Sequence, residues 1–189
     1  MSNLNSDQSK TDKEILEIFS RNHDLGMELM FKKYFALVST IVYRILNDSI
    51  LAEDIAQEVF LSVWKNRETI NINSSLKSYL LRAARNKSLN YIRDNKVKTS
   101  AGEEMPDVPD FTPSVEAEME GKDLRKRVTQ LIDMLPERCR YTFVLSRFEN
   151  LTYKEIAREM GTSEKTVENQ ISKALQFLKA GLANFLKEK

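Results

Sequence analysis

The sequence predicts an all-α fold: two small helical domains joined by an acidic, Pro-containing linker, the second ending in a helix-turn-helix. Three observations carry that expectation. With Gly 5 and Pro 4 among 189 residues, the chain lacks the turn residues a sheet-rich fold needs. Apolar residues recur at three- and four-residue spacing through long stretches, the period of a helix with one buried face. Thr152 with Glu155 makes a capping box, Gly161 breaks the helix it opens, and Thr162-Ser163 offers a hydroxyl cap for another.

From the N-terminus, Leu4 to Ser20 reads as a loose tail leading into a short helix anchored by Ile15, Ile18 and Phe19. His23 reads as a surface residue just before a helix start. Asp24 is the expected cap of a long helix to about Leu46, along which Phe31, Tyr34, Phe35, Val38, Ile41, Val42 and Ile45 repeat. Asn47-Asp48-Ser49 interrupts the pattern and supplies turn and cap chemistry. The next helix, about Ile50 to Asn66, turns Ala52, Ile55, Ala56, Val59, Phe60 and Val63 inward. Opposite them stand Asp54, Leu61 and Lys65, with Gln57, Glu58 and Trp64 on the shoulders. An acidic face set with Leu61 and Trp64 suits protein docking; a solvated face with scattered apolar residues is the plainer alternative.

Glu68 to Ser75 is a polar loop, with Ser74 or Ser75 capping a helix from Leu76 to about Arg93. That helix is expected to bury Leu76, Leu80, Ala83, Ala84 and Tyr91, and to carry Arg82, Arg85, Asn86, Leu89 and Arg93 on its other side. Between Arg82 and Lys98 stand six basic residues (Arg82, Arg85, Lys87, Arg93, Lys96, Lys98) and one acid, Asp94. Such a patch fits a flexible single strand, whose phosphates meet cations and whose bases stack on flat groups. A solvated basic helix would look the same.

Composition shifts at Thr99 to Pro113, which holds three of the four prolines, four acids and no base, as an extended tether would. Residues 1–97 and residues 114–189 each carry 14 basic against 12 acidic groups, while 98–113 carries 1 against 4. Two surpluses of two and a deficit of three give the net charge of +1, so overall neutrality does not argue against a polyanionic partner.

Beyond the tether, a helix of about Pro113 to Leu135 presents Leu124, Val128, Leu131, Ile132 and Leu135. Pro136 ends it and opens another, Glu137 to Phe148, with Tyr141, Val144, Leu145 and Phe148 inward and Cys139 as a small filler or an exposed thiol. In the helix-turn-helix, Ile156, Met160, Val167 and Ile171 make the core, and Ala157 fits where the two helices cross. The last helix runs to about Lys187, with Val167, Ile171, Ala174, Leu175 and Leu178 inward. Lys165, Asn169 and Lys173 face out, flanked by Thr166 and Ser172, offering charge for phosphates and amide or hydroxyl groups for base edges. An ordinary solvated helical hairpin is the alternative.

Other chemistries find little support. One cysteine and one histidine give no disulfide framework and no thiol or imidazole metal cluster. Glu53, Asp54 and Glu58 are the nearest approach to a carboxylate trio, yet Glu53 and Asp54 point in different directions, so no enzyme, cofactor or small-molecule substrate is expected. The N-terminal residues have no signal-peptide core, and no apolar run approaches membrane-spanning length, so a cytoplasmic protein is expected.

Together these stretches resemble bacterial RNA polymerase sigma factors of the sigma-70 family, in the extracytoplasmic-function group. Residues 52–64, AEDIAQEVFLSVW, are similar to that family's core-polymerase-binding helix, and residues 78–93, SYLLRAARNKSLNYIR, to its promoter-melting and −10-reading helix. Leu135-Pro136-Glu137-Arg138 is similar to the start of its last domain's hairpin, and residues 166–174, TVENQISKA, to its −35-reading element. The resemblance implies three parts: 1–97 for core binding, −10 recognition and melting, 98–113 as linker, and 114–189 for −35 recognition. It implies that Asp54, Gln57, Glu58, Leu61 and Trp64 dock on core RNA polymerase. Arg82, Arg85, Asn86 and Arg93, with the loop Asn71 to Ser75, would hold the melted −10 strand, and Lys165, Thr166, Glu168, Asn169 and Lys173 would read −35 duplex DNA. The acidic linker would thread the polymerase interior. Many such factors are held inactive by a membrane-bound anti-sigma factor, a further partner the resemblance suggests. Gln170 departs from the apolar residue usual at its position, and Glu168-Asn169-Gln170 is poorer in arginine than recognition helices of the family often are. A free-standing helix-turn-helix regulator binding duplex DNA as a dimer is the rival reading; it leaves the first domain without a task.

Overall fold

The computed structural model describes residues 10–70, 72, 75–96, 105–107 and 120–187. The regular elements among them are all helical: α1 (Asp12–Arg21), α2 (His23–Leu46), α3 (Ser49–Lys65), α4 (Leu76–Lys96), α5 (Glu120–Asp133), α6 (Glu137–Arg147), α7 (Tyr153–Met160) and α8 (Glu164–Lys187). They fall into two compact units, Met1–Tyr91 and Ile92–Lys189.

In the first unit α2 packs against both α1 and α3. The expected short helix is α1, which begins in a capping box; Leu4 to Ser9 of the expected tail lie outside the described residues. The Thr11 amide donates to Glu14 Oε2 at 2.7 Å, and the Glu14 amide to Thr11 Oγ1 at 3.3 Å. A ten-residue helix is marginal alone; burial of Ile15 and Phe19, worth about 1.5–3 kcal/mol each, secures it. Ile18, the third expected anchor, is only half-buried.

The cap of α2 is Asn22 rather than Asp24. Asn22 holds the extended backbone a cap requires (φ −145°, ψ 99°), and its side chain accepts from the Leu25 amide at 3.0 Å; Asp24 sits inside the first turn. His23 is the first residue of α2, edge-on to Phe19 at 5.2 Å and 3.7 Å from Glu68. Helices α1 and α2 touch at Gly26: a Cβ there would lie 2.3 Å from the Phe19 Cα. Asn47, left-handed at φ 56°, ends α2, and Asp48 caps α3 by accepting from the Leu51 amide at 3.0 Å. All six residues expected to face inward on α3 are buried.

On α4, Leu76, Leu80 and Ala84 are buried as expected, but Ala83 is half-buried and Tyr91 exposed, while Leu81, Arg85, Ser88 and Ile92 join the covered side. Its cap is Ser75, whose hydroxyl accepts from the Ser78 amide at 3.1 Å.

In the second unit α8 packs against α5, α6 and α7. The expected start of α5 near Pro113 lies outside the described residues. Leu131, Ile132 and Leu135 are buried and Val128 half-buried, but Leu124 is exposed near the described start of the helix. Arg140 is 5% exposed and donates to the carbonyls of Asp133 (2.7 Å) and Leu135 (3.2 Å), satisfying acceptors that the end of α5 leaves open. Burial lowers the Arg140 pKa, countered by Glu137 and Asp133; burial likewise raises that of Asp133, countered by Arg140. Cys139 is buried, a filler and not an exposed thiol. Tyr141, Val144 and Leu145 face inward as expected; Phe148 does not, because it is the C-cap, and Phe143 is buried in α6 instead. At the far end of α8, a Cβ on Gly181 would lie 2.5 Å from a Leu131 methyl, so α8 and α5 touch there.

Candidate nucleic-acid interface

The helix-turn-helix is built by its caps. The Thr152 amide donates to Glu155 Oε2 at 2.8 Å, and the Glu155 amide to Thr152 Oγ1 at 3.3 Å. Gly161 closes α7 at φ 61°, and the Thr162 amide reaches back to the Ala157 carbonyl at 2.9 Å. Ser163 then opens α8, accepting from the Thr166 amide at 3.1 Å. Ile156, Ala157, Val167 and Ile171 are buried between the helices; Met160 is half-buried.

On α8, Ala174 and Leu178 are buried as expected, but Leu175 is exposed and Gln170 and Phe177 are covered. At about 100° per residue, Leu175 stands about 80° from Val167 on one side and Gln170 about 60° on the other. The buried arc is displaced toward Gln170. Its amide stays inside because Thr142 Oγ1 donates to Gln170 Oε1 at 2.6 Å, which answers the departure noted at this position.

Lys165, Glu168, Asn169 and Lys173 are exposed together on the outer side; Thr166 is half-buried, its hydroxyl 2.9 Å from that of Ser163. Lys165 Nζ lies 2.9 Å from Glu168 Oε2, so one cation of the set is partly neutralised before any DNA arrives. Asn169 and Lys173 form the open end of the face.

Helix α4 exposes Arg82, Asn86 and Arg93 on one stripe, with Arg93 Nε 3.3 Å from Asp94. Arg85 does not join them. It is 8% exposed, and at about 100° per residue it stands about 60° from Arg82 toward Leu81 and Ile92. Lys87 is half-buried and pairs with Glu58 at 2.8 Å, tying α4 to α3. Asn71, Asn73 and Ser74, the Lys96 side chain and Lys98 lie outside the described residues.

On α3, Asp54, Gln57, Glu58 and Leu61 are exposed and Trp64 is half-buried beneath the Arg67 guanidinium, 4.6 Å from the ring. Ile50 is 75% exposed on the same side, four residues before Asp54, and extends that face. Its place at the helix start hid it from an argument based on the stripe.

Asp12 also escaped sequence reasoning. Its carboxylate accepts from Tyr34 Oη, from Lys33 Nζ at 3.2 Å and, across the unit, from the Lys77 amide at 3.3 Å in the first turn of α4. Burial raises the Asp12 pKa, but the bonds from Tyr34, Lys77 and Lys33 outweigh it and hold the value below the ordinary 3.8. Burial and the bond to Asp12 push Tyr34 well upward. Thr11-x-x-Glu14 repeats the pattern of Thr152-x-x-Glu155 and signals where α1 starts, though not the partners of Asp12.

Among the described residues no group of three His, Cys, Asp or Glu side chains could hold a metal ion, and no helix is long and apolar enough to cross a membrane.

Comparison with known proteins bears on both helical faces. The family model "Sigma-70 region 2" matches residues 30–97, and "Sigma-70, region 4" matches residues 125–178. The RNA polymerase sigma-H factor of Pseudomonas aeruginosa is 25% identical over 186 residues, covering 94% of this chain and 96% of its own. The ECF RNA polymerase sigma factor SigM of Bacillus subtilis is 28% identical over 156 residues, covering 82% and 94%. Among solved structures, CnrH in complex with the cytosolic domain of CnrY has a TM-score of 0.54 at 17% identity, covering 92% and 98%. The sigma factor RpoE in complex with the anti-sigma factor NepR from Bartonella quintana has a TM-score of 0.52 at 19% identity, covering 79% and 91%. The chain therefore belongs to the sigma-70 family of RNA polymerase sigma factors, in its extracytoplasmic-function group.

Proposed function

We propose how the work of a sigma factor, directing core RNA polymerase to promoters, is divided along this chain. Residues 1–97 bind core polymerase and the melted −10 strand, 98–113 form the linker, and 114–189 read the −35 duplex. The α3 face of Asp54, Gln57, Glu58, Leu61 and Trp64, lengthened by Ile50, docks on the polymerase. Leu61, 47% exposed, and the Arg67-backed Trp64 ring supply apolar anchors, and the carboxylates select a basic partner surface.

Arg82, Asn86 and Arg93 contact the melted strand, Arg93 exchanging Asp94 for a phosphate; Arg85 supports the helix from its covered side. Unpairing costs a few kcal/mol per base and stacking returns about 1–3 kcal/mol per base, so an opened strand can be trapped without fuel. Asn169 and Lys173 lead the −35 contacts, with Lys165, Glu168 and Thr166 beside them. Glu168, paired with Lys165 through one carboxylate oxygen, can accept from a cytosine amino group through the other. Two weak grips linked through the polymerase become one selective one. The chain is an initiation factor and not an enzyme, and it acts in the cytoplasm. An anti-sigma factor of the kind bound to RpoE is its expected antagonist.

The observation that carries this reading is the coexistence, in one chain, of an exposed acidic-apolar face on α3, an arginine stripe on α4 and a fully capped helix-turn-helix. Run-off transcription with purified core polymerase on a promoter library tests it. Core-dependent transcripts from a defined promoter class are expected, and Leu61→Ala with Trp64→Ala is expected to lower core affinity at least tenfold. Specific duplex binding by a dimer of the chain alone, with no association with core, would overturn it.

A further inference from the structure

The family model begins at residue 30, beyond all of α1. Yet the first residue of α1 reaches the helix assigned to the melted strand. Helix α4 starts with amides that have no intrahelical partner. The Ser75 hydroxyl takes that of Ser78 at 3.1 Å, and Asp12 Oδ2 takes that of Lys77 at 3.3 Å. The other oxygen of the same carboxylate is fixed to α2 through Tyr34 and Lys33, and Lys33 also donates to the Lys10 carbonyl at 2.6 Å. With 25% of the Asp12 side chain and 23% of the Lys33 side chain exposed, the junction is partly buried, and the bond to the Lys77 amide lies at its exposed edge. Three helices thus meet on one carboxylate, and a negative charge there complements the positive end of α4.

We infer that Asp12 is a positioning residue for strand recognition: it fixes the entry of α4, and with it Ser75 and Lys77, in the pose that receives the melted −10 strand. The inference rests on the promoter reading above. Ser75 is the last residue of the loop assigned to that strand, and Arg82 and Asn86 stand about two and three turns further along α4. A tilt of the helix end would therefore displace each of these contacts. The docking face of α3 does not touch this carboxylate.

The test uses holoenzyme assembled from core polymerase and the full chain, with anisotropy measured on a fork-junction DNA whose non-template −10 strand is already single. Core affinity and binding to a −35 duplex are measured in parallel. Asp12→Ala is expected to weaken fork binding about tenfold with core and −35 affinities unchanged. Asp12→Asn, which keeps an acceptor for the Lys77 amide, is expected to recover most of that loss. Tyr34→Phe removes a neighbouring contact without uncapping α4 and should bind the fork as the wild type does. Wild-type fork affinity in Asp12→Ala, or equal losses in Asp12→Ala and Tyr34→Phe, would overturn the inference. A parallel loss of core affinity in Asp12→Ala would overturn it too. A wild-type chain that never associates with core sinks the promoter reading and this inference with it.

Discussion

Replacing Gly26 by alanine tests the packing of the first unit directly. The new Cβ would meet the Phe19 Cα at 2.3 Å, its Cβ at 2.5 Å and its backbone nitrogen at 2.7 Å. Two of these are main-chain atoms, so no rotamer change relieves the clash, and α1 must retreat by more than 1 Å to reach ordinary contact distance (about 3.5–4.0 Å). Retreat loosens Ile15 and Phe19, whose burial amounts to about 3–6 kcal/mol at most; partial retreat should cost about 1–3 kcal/mol, as overpacked sites do. Trp64 is the only tryptophan and lies on α3, so its fluorescence in urea reports this unit. A midpoint lower by about 1 M is expected, taking a slope of about 2 kcal/mol per M. The control is Gly161→Ala, which meets nothing within 4 Å but holds φ 61°; it should cost about 1–2 kcal/mol in the second unit and leave the Trp64 transition alone. An unchanged midpoint in Gly26→Ala would show that α1 and α2 do not cross as described.

The two arginines of α4 should separate. Arg82→Gln is expected to weaken fork-junction binding and flatten its dependence on log salt by about 0.7, with stability unchanged, whereas Arg85→Gln, at a buried site, should lower stability first in a urea titration. Thr142→Val leaves the Gln170 carbonyl oxygen buried without its donor and should cost about 1–3 kcal/mol; the double variant Thr142→Val with Gln170→Leu should recover much of that in the same titration. Asp12 is held below 3.8, so its ionised form stabilises the fold above that pH and the stabilisation fades as pH falls through the lower folded value. Asp12→Asn should therefore be less stable than wild type near neutrality and converge with it below about pH 4. Tyr34, raised above 10.0, adds stability that is intact below that pH and lost only as pH climbs through its higher folded value, so Tyr34→Phe should differ from wild type least in strong alkali.

Much of this molecule was legible where one kind of signal stood alone. The α3 stripe reads cleanly because six apolar residues fall in phase with no polar residue among them. The turn between α7 and α8 reads cleanly because Thr152 with Glu155 and the break at Gly161 stand alone, and the two candidate caps of α8, Thr162 and Ser163, are adjacent. Legibility failed where polar residues take inside positions. Arg85, Ser88 and Gln170 are covered, and a reading that assigns polar residues outward rotates α4 and α8 slightly away from their true phase. Ser88 is satisfied by donating to the Ala84 carbonyl at 2.9 Å, a bond no periodicity reveals. Neighbouring candidates were the second difficulty: Asn22 and Asp24 are both good caps, and Phe143 and Phe148 are both good core residues. In each case the position of the helix boundary decided, and that depends on tertiary packing. The role of Asp12 was beyond reach, since its partner Lys77 lies 65 residues away.

Asn22 closes one helix and opens the next with no spacer between them: its amide donates to the Ile18 carbonyl at 2.8 Å while its side chain accepts from Leu25. A single inserted residue at this elbow would swing everything before it by about 100° around the axis of α2, tearing Phe19 from Gly26 and Asp12 from Lys77 together. The elbow should accordingly be a place where indels are lethal and substitutions merely costly.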